Sequence, residues 1–514
     1  MKQWWKETVF YEIYMPSFKD GNDDGIGDFI GLTNKLDYLK ELGIGAVWLT
    51  PFYASPRVDN GYDISNYMEI DPIFGNERDF DNFLKEAHKR NIKVIADLVI
   101  NHTSTEHKWF KESSTSRHSK KRDWYVWKDV PNNWESFFGG AAWEYDEVTK
   151  QYYYHSFAKD QADLNWNNPE VKEAIYCVID YWLSKGVDGF RLDVINNLTL
   201  NKEFPDNPYN ENGEQVHLYD KDQKGLNKIL EELNTYIKNK NKESFLVGEI
   251  SSDDVEVIAS YSGNEMLDVT FNFNFGSIEQ LDVQYLFNEM KKMETLYTEK
   301  SEPTLFFGSH DLGRSWNRLA SERIEMAEIL AVLILSARGV PFVYFGDEIG
   351  MEDLIASDIK EIRDIQGIMS YQEAIENGAT EIEALETGNK KSRDKSRSPM
   401  QWEDEEFSNH EPWISESRKV GEERYRLVKW YKQLIALRKK QSLSYEPYKI
   451  LKLQNELIYF QRGNFLILLN FGDEIEYLQK KWEIEEVKLS NNKIEWSETG
   501  VEIPARSATI LIVR

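Results

Sequence analysis

Four acidic side chains stand at or just beyond the ends of short apolar runs: Asp97, Asp193, Glu249 and Asp311. Each alone reads as a cap or an ion-pair partner. Gathered on one face they would repel one another, so stability gives no reason to bring them together. Asp193 is the most informative. It lies two residues after Arg191 in the run Val187-Asp188-Gly189-Phe190-Arg191-Leu192-Asp193, which reads as a buried strand. Residues at i and i+2 leave the same face of a strand, so Arg191 and Asp193 point into one interior. A guanidinium beside a carboxylate lowers its pKa and keeps it ionised, as a nucleophile near neutral pH must be. Taken alone, such a couple is ordinarily a structural ion pair. Three further acids at strand ends favour chemistry instead. Retaining hydrolysis of a glycoside requires such a group, with one ionised and one protonated carboxyl about 5 Å apart. His102 and His310 closely follow two of these ends and suit the gripping of sugar hydroxyls.

The elements that must position these groups alternate along the chain. Eight short apolar segments read as strands: Val9–Tyr14, Ala46–Thr50, Lys93–Val99, Val187–Asp193, Ser244–Glu249, Met266–Phe271, Thr304–Gly308 and Pro341–Phe345. Amphipathic helices lie between them. Pro169–Lys185 has Asn168 as N-cap, proline in the first turn, Val171, Ile175, Val178 and Trp182 at helical spacing, and Gly186 after its end. Glu322–Arg338, opened by Ser321, is similar and nearly all apolar in its second half. Eight strands alternating with helices predict an α/β fold, a parallel (β/α)8 TIM barrel with its functional groups at the strands' C-terminal ends. The barrel is expected over 1–101 and 166–443. Residues 102–165, rich in tryptophan and weakly periodic, read as an inserted domain after strand 3. Residues 444–514 alternate as short strands (Leu457–Gln461, Phe465–Asn470, Ala508–Val513) and read as a C-terminal β-sandwich domain. The acidic segment Glu352–Asn389 reads as a helical decoration after the eighth strand.

Composition narrows the partners. The 514 residues carry a formal charge of −27, which argues against nucleic acid or an anionic membrane surface. The 16 Trp, 27 Tyr and 26 Phe exceed what packing alone suggests and suit a protein that stacks sugar rings. Cys177 is the single cysteine, which excludes an intrachain disulfide and fits a reducing compartment. It falls inside an apolar helix pattern and is expected to be a packed, inert thiol. No segment approaches 18 uninterrupted apolar residues, so no membrane span is expected. A cytoplasmic monomer or weak dimer acting on a small oligosaccharide, without an organic cofactor, is the expectation.

Asp20-Gly21-Asn22-Asp23-Asp24-Gly25-Ile26-Gly27-Asp28 has oxygen donors at alternate positions and glycine at the tight turn, matching the first nine positions of a calcium loop. Gly31 occupies the twelfth position, so the bidentate glutamate of a complete loop is missing. A metal-free acidic turn is the plain alternative.

Four motifs in order, Asp97-Leu98-Val99-Ile100-Asn101-His102, Gly189-Phe190-Arg191-Leu192-Asp193, Gly248-Glu249-Ile250 and Ser309-His310-Asp311, resemble the α-amylase family of glycoside hydrolases. The resemblance covers essentially the whole chain. It implies Asp193 as nucleophile, Glu249 as general acid/base and Asp311 as transition-state stabiliser, with Arg191, His102 and His310 among the sugar-binding residues. Gln161-Ala162-Asp163-Leu164-Asn165-Trp166, Asp59-Asn60-Gly61-Tyr62-Asp63 and Ser396-Arg397-Ser398-Pro399-Met400-Gln401-Trp402 look like the exo-acting α-glucosidase branch, oligo-1,6-glucosidases included. By resemblance Asp59 and Arg397 pair at the blind end of a pocket, with Arg393 the lesser candidate for that place. Tyr62 stacks on the terminal glucose, Gln161 joins the site, and Phe138 and Phe157 form its walls. The branch also carries a structural divalent ion in the acidic loop, calcium or alternatively magnesium, which implies Asp20, Asn22, Asp24, Asp28 and the Ile26 carbonyl as ligands.

Val194, directly after the nucleophile and followed by Ile195-Asn196, accompanies α-1,6 activity in this branch, where Thr or Ala accompanies α-1,4. The expected activity is therefore the release of glucose from the non-reducing end of isomaltose and related α-1,6-linked oligosaccharides. Trehalose-6-phosphate hydrolases share the Val-Ile-Asn run and stand as the alternative, with α-1,4-glucosidases and sucrose-isomerase-type transglucosidases behind them. A phosphorylated substrate would need basic residues at the rim. Lys120-Lys121-Arg122 has the charge but reads as a solvated face. Gly308-Ser309 and Leu312-Gly313-Arg314 depart from the family pattern on the aglycone side.

Overall fold

The computed structural model describes residues 3–514 except Asp253, Asn264, Glu299, Lys480 and Glu498; Met1 and Lys2 of the N-terminal stretch lie outside the described residues. All eight expected strands are present, trimmed or shifted at their ends: β1 (Phe10–Ile13), β2 (Ala46–Leu49), β3 (Lys93–Leu98), β4 (Gly189–Leu192), β5 (Phe245–Gly248), β6 (Val269–Thr270), β7 (Thr304–Leu305) and β8 (Val340–Tyr344). They neighbour one another in the order β6-β5-β4-β3-β2-β1-β8-β7. Every ladder among them is parallel. A side chain joins the two ends: Thr304 Oγ1 donates to the Thr270 carbonyl at 3.0 Å and accepts from the Asn272 N–H at 2.9 Å. One hydroxyl thus bridges β6 and β7 and completes the ring.

These strands are apolar on both faces because both are covered. Phe10, Trp48, Phe245, Phe271, Phe306 and Phe342 form one buried cluster. Phe10 of β1 lies between Phe245 and Phe342, at ring-centroid distances of 4.6 and 4.7 Å. Outside, α1 (Pro169–Lys185) follows its caps as expected: the Asn168 side chain accepts from the Glu170 N–H, and Gly186 ends the helix at φ 104°. Cys177 departs from expectation and is exposed. Val171, Ile175, Val178 and Trp182 are the buried stripe, and position 177 turns away from it. The helix α2 (Ile324–Ser336) starts later than its apolar pattern suggests, because Ser321 and Glu322 take left-handed backbone angles (φ 49° and 58°).

Between β3 and α1, residues 102–165 hold a three-stranded antiparallel sheet (Trp127–Lys128, Gln151–Tyr154, Trp143–Asp146). Trp134, Trp143 and Tyr154 pack there against Leu200, Phe204 and Tyr219 of the long connection after β4. After β8, α3 (Ile365–Glu376) and α4 (Glu381–Lys391) carry the chain back to a short turn at Arg393–Ser396. The C-terminal residues form a five-stranded and a three-stranded sheet. Phe465–Asn470 is buried throughout. Leu466 and Leu468 face the second sheet's Leu478, Val501 and Ile503. Ile467 and Leu469 join the main core. No helix among the described residues is long and apolar enough to cross a membrane.

Candidate active site

Arg191, on β4 and only 1% exposed, is the hub of the strand ends. Its Nη1 donates to Asp97 Oδ1 at 2.9 Å and to Asp193 Oδ1 at 2.6 Å, and its Nη2 donates to Glu249 Oε2. Asp97 lies beneath, fixed by Trp48 Nε1 at 3.1 Å and the Tyr62 hydroxyl at 3.0 Å. Asp193 and Glu249 are the first residues past β4 and β5, and their backbones are tied together. The Glu249 N–H donates to the Leu192 carbonyl at 2.9 Å, and the Ile195 N–H to the Glu249 carbonyl at 3.1 Å. Asn196 adds a two-way bond to Ser251, donating to its carbonyl at 3.0 Å and accepting from its N–H at 3.2 Å. This brace spans a strained point. Val194 sits at φ 36°, ψ 48°, where a β-branched residue carries a cost on the order of 1–3 kcal/mol.

Burial, rather than the adjacent guanidinium, dominates the charge states. It pushes Asp193 up to about 7 against the pull of Arg191. It pushes Glu249 up to about 8, again against Arg191, with Asp193 and Asp311 adding to the rise. Arg191 lowers the Asp193 pKa as expected, but the expectation that this keeps the carboxyl in the ordinary ionised range is corrected: burial outweighs it, because one guanidinium is shared among three buried carboxyl groups. The interaction of the Asp193 and Glu249 carboxyls lowers the former and raises the latter. Glu249 is thus the group that keeps its proton longer. Asp311 behaves oppositely: burial raises it, but the charges of His310, Arg393 and Arg397 outweigh burial and hold it well below the usual carboxylate range. His310 is itself pushed down to about 3 by burial and is neutral at pH 7, so the two guanidiniums carry that effect.

Asp193, Glu249 and Asp311 open into a pocket of about 220 Å³ that is also lined by Asp59, Tyr62, His102, Phe138, Phe157, Gln161, Gln366 and Arg393. Gln161 Nε2 donates to Asp59 Oδ2 at 3.0 Å. His102 is pushed down to about 4 by burial and meets the Tyr62 carbonyl at 3.2 Å. Phe157 packs between His102 and Phe138, with centroids 5.5 and 5.3 Å away.

Four of the expected sugar-binding residues stand behind this lining. Arg191 and His310 are both 1% exposed. His310 Nδ1 meets Glu12 Oε1, and its Nε2 meets the Tyr62 hydroxyl, each at 2.6 Å. Val194 is half-buried beside Asp193. Arg397 is the main correction. Its expected ion pair with Asp59 is absent among the described residues, and Arg393 Nη2 makes that contact at 2.5 Å. Arg397 Nη2 instead holds Asp311 Oδ1 at 3.1 Å, and its Nε donates to the His310 carbonyl at 2.9 Å. The reason is the turn at Arg393–Ser396, which aims the two arginines differently, and Asp364 between them. Asp364 accepts from the Arg393 N–H at 3.0 Å and its Nε at 2.9 Å, and stands 3.6 Å from Arg397 Nη1.

Asp364, Gln366 and Glu12 escaped sequence reasoning. Glu12 sits mid-strand and reads as ordinary β1 sequence; Asp364 and Gln366 sit in an acidic helical stretch with no motif of its own. The sequence departures have local explanations. At Gly308 a Cβ would lie 2.4 Å from Asp347 Oδ2, so the Asp347 carboxylate fills the room that a side chain would take. Arg314 is buried and structural, donating to the Phe345 carbonyl. The basic run is a solvated face only in part: Lys120 is exposed, Lys121 is half-buried over Trp124, and Arg122 is buried over the Trp127 ring.

The acidic loop folds around its own amides. Asp20 Oδ1 accepts from the Asn22 and Asp23 N–H groups at 3.0 and 2.8 Å, and Asp20 Oδ2 from Gly25 at 2.7 Å. Asn22 Oδ1 accepts from Asp24, Asp24 Oδ1 from Ile26 at 2.9 Å, and Asp28 Oδ1 from Gly31 at 2.7 Å. Asp28 is raised by burial first, with the charges of Asp20 and Asp24 adding to it, so the three carboxylates feel one another. Among the described residues no three His, Cys, Asp or Glu side chains converge closely enough to hold a metal by themselves. An ion here therefore needs the Asn22 amide oxygen and the Ile26 carbonyl as well.

An eight-stranded parallel barrel with carboxyl groups at three strand ends, opening on a closed sugar-sized pocket, defines a glycoside-hydrolase type of site. The model of the α-amylase catalytic domain matches residues 12–446, and the chain belongs to the α-amylase family of glycoside hydrolases. Oligo-1,6-glucosidase of Bacillus cereus is 37% identical over 512 residues, covering 92% of each chain. Glucan 1,6-alpha-glucosidase of Streptococcus dysgalactiae subsp. equisimilis is 37% identical over 529 residues, covering 96% of each. The crystal structure of Bacillus licheniformis trehalose-6-phosphate hydrolase superposes with a TM-score of 0.89 at 34% identity, over 100% of both chains.

Proposed function

We propose that this protein is an exo-acting retaining α-glucosidase that releases glucose from the non-reducing end of short α-glucosides and prefers α-1,6 linkages. The observation that carries the reading is the pocket itself: the Asp193 and Glu249 carboxyls are held side by side by the two Nη atoms of one guanidinium, that of Arg191, facing a far wall sealed by the Asp59–Arg393 pair. Closely spaced carboxyls match the retaining geometry rather than the inverting one, which leaves room for a water between them. A sealed wall admits a chain end and excludes a polymer interior.

In this reading Glu249 donates its proton to the glycosidic oxygen while Asp193 attacks the anomeric carbon and the aglycone leaves. Glu249, now ionised, takes a proton from water, which displaces Asp193 with a second inversion. Asp311, kept ionised by Arg397 and Arg393, would grip the hydroxyls of the distorting ring, and Asp59 with Arg393 would anchor the terminal glucose. The α-1,6 preference rests on Val194-Ile195-Asn196 and on the names of the two 1,6-glucosidase relatives. Product analysis with isomaltose, maltose, trehalose 6-phosphate and sucrose tests it. Isomaltose should be cleaved fastest, to glucose alone. Preferential cleavage of trehalose 6-phosphate would transfer the assignment to that hydrolase, and an isomerised product to a transglucosidase.

The acidic loop is proposed to hold calcium, or magnesium, through Asp20, Asn22, Asp24, Asp28 and the Ile26 carbonyl. This all-oxygen donor set suits a hard divalent cation, which would supply the positive charge that the mutually repelling carboxylates lack. The single exposed thiol fits a reducing, cytoplasmic setting, and a monomer or weak dimer suffices because one chain supplies every pocket residue.

A further inference from the structure

Arg462 ends one strand of the five-stranded C-terminal sheet (Leu457–Arg462) and is 1% exposed. Its Nε and Nη1 are buried without a hydrogen-bond partner, and among the described residues it forms no ion pair. The other arginines buried as deeply each make at least one side-chain hydrogen bond or ion pair, although Arg191 Nε, Arg314 Nε and Nη2, Arg397 Nη1 and Arg438 Nε are also without a partner. Arg191 meets three carboxylates. Arg397 meets Asp311, Arg314 the Phe345 carbonyl, and Arg438 the carbonyls of Leu335, Lys6 and Gly339. The Tyr448 ring lies 5.5 Å from the Arg462 guanidinium, and Glu302 and Glu446 are the acidic charges that act on it. A buried guanidinium without acceptors is costly, because it loses hydration and gains nothing in return.

Arg462 lines a cleft of about 750 Å³ together with Lys6, Glu302, Arg338, Ser444 and Glu446. Lys6 precedes β1, Glu302 precedes β7 and Arg338 precedes β8. The cleft therefore lies at the N-terminal ends of the strands, on the face opposite the catalytic pocket, between the barrel and the C-terminal sheet. Glu302 is already taken by Arg338 at 3.1 Å and Lys6 at 3.3 Å. Ser444 Oγ, like the two Arg462 nitrogens, is buried without a partner. Every one of these unmatched atoms can donate a hydrogen bond. Burial pushes Arg462 down to about 10, with Glu302 the strongest opposing charge.

We propose that this cleft is a binding site for a small oxyanion of the phosphate class, held by the Arg462 guanidinium and the Ser444 hydroxyl. The fork of a guanidinium matches two oxygens of such an anion, and a partly desolvated site strengthens that contact. In a chain of net charge −27, general attraction cannot bring an anion here, so binding is local and specific.

The test uses the full chain, inorganic phosphate against chloride at matched ionic strength, and two readouts: melting temperature and kcat/KM on isomaltose. Phosphate should raise the melting temperature along a saturating curve, and Arg462→Met should abolish that rise. Because Met removes an unpaired buried charge, the variant without phosphate should melt no lower than the parent. Ser444→Ala should weaken phosphate binding severalfold. Hydrolysis by both variants should equal that of the parent, so this inference can fail while the proposed activity stands, and the reverse. A non-saturating response, a full response in Arg462→Met, an Arg462→Met that fails to fold or melts well below the parent, or unchanged affinity in Ser444→Ala would each overturn the proposal.

Discussion

Arg393 and Asp59 meet at 2.5 Å across the closed end of the pocket, although 334 positions separate them in the chain. Asp59 is buried and Arg393 half-buried, and Asp364 also holds Arg393 from behind. Removing Arg393 leaves Asp59 a buried carboxylate without its cation, whereas removing Asp59 leaves Arg393 turned to Asp364 alone. Asp59→Asn and Arg393→Lys should each lower kcat/KM on isomaltose by about 2–5 kcal/mol in transition-state terms, with much of the loss in KM. Steady-state kinetics decide this, and an unchanged KM in both variants would remove the pair from substrate binding.

Glu249→Gln removes the proton donor at nearly constant volume. An aryl glucoside with an activated leaving group needs little protonation, so its glycosylation step should suffer far less than that of isomaltose. Pre-steady-state rates on the two substrates compare them directly. Equal losses would give Glu249 another role.

The pH profile of kcat/KM should be bell-shaped and narrow. The free enzyme needs Asp193 ionised and Glu249 protonated, so activity should fall as pH drops below about 7 and again as it rises above about 8. The two values belong to the coupled pair rather than to either residue alone. A basic limb that stays flat well above pH 9 would show that no group with the character of Glu249 must hold a proton.

The barrel was legible because its strands are short, apolar on both faces and punctuated by capped helices such as Asn168 to Gly186. The acids proposed as catalytic were legible because they sit on or beside those strands, where chain position dictates direction. The Arg393–Asp59 contact was not. Arg393 and Arg397 are four residues apart in a turn, and only the placement of Asp364 decides which arginine reaches the pocket. Gln366 was hidden for a related reason: it enters the lining on α3, an element whose docking depends on long-range packing. Cys177 shows the same limit in reverse, since a helix with a broad apolar pattern leaves the phase of one small side chain ambiguous.

Chelation tests the acidic loop. Removing a bound divalent ion should lower the melting temperature by an amount that calcium restores; an ion present at a hundred times its Kd contributes about 2.7 kcal/mol. The kcat/KM at 25 °C should not change, because the loop contributes no residue to the pocket. A melting curve identical with chelator and with calcium would make the loop a metal-free turn.

Double displacement at Asp193 fixes the stereochemistry of the glucose that isomaltose releases. Proton NMR of isomaltose during the first minutes of turnover reads it directly, since the two anomers of glucose give separate signals before they equilibrate. The glucose released from the non-reducing end should appear first as the α-anomer, and Asp193→Asn, well folded, should release none on the same timescale. An initial glucose signal with more β-anomer than the isomaltose reducing end itself carries, or turnover of isomaltose by the Asp193→Asn protein at a rate near that of the parent, would contradict it.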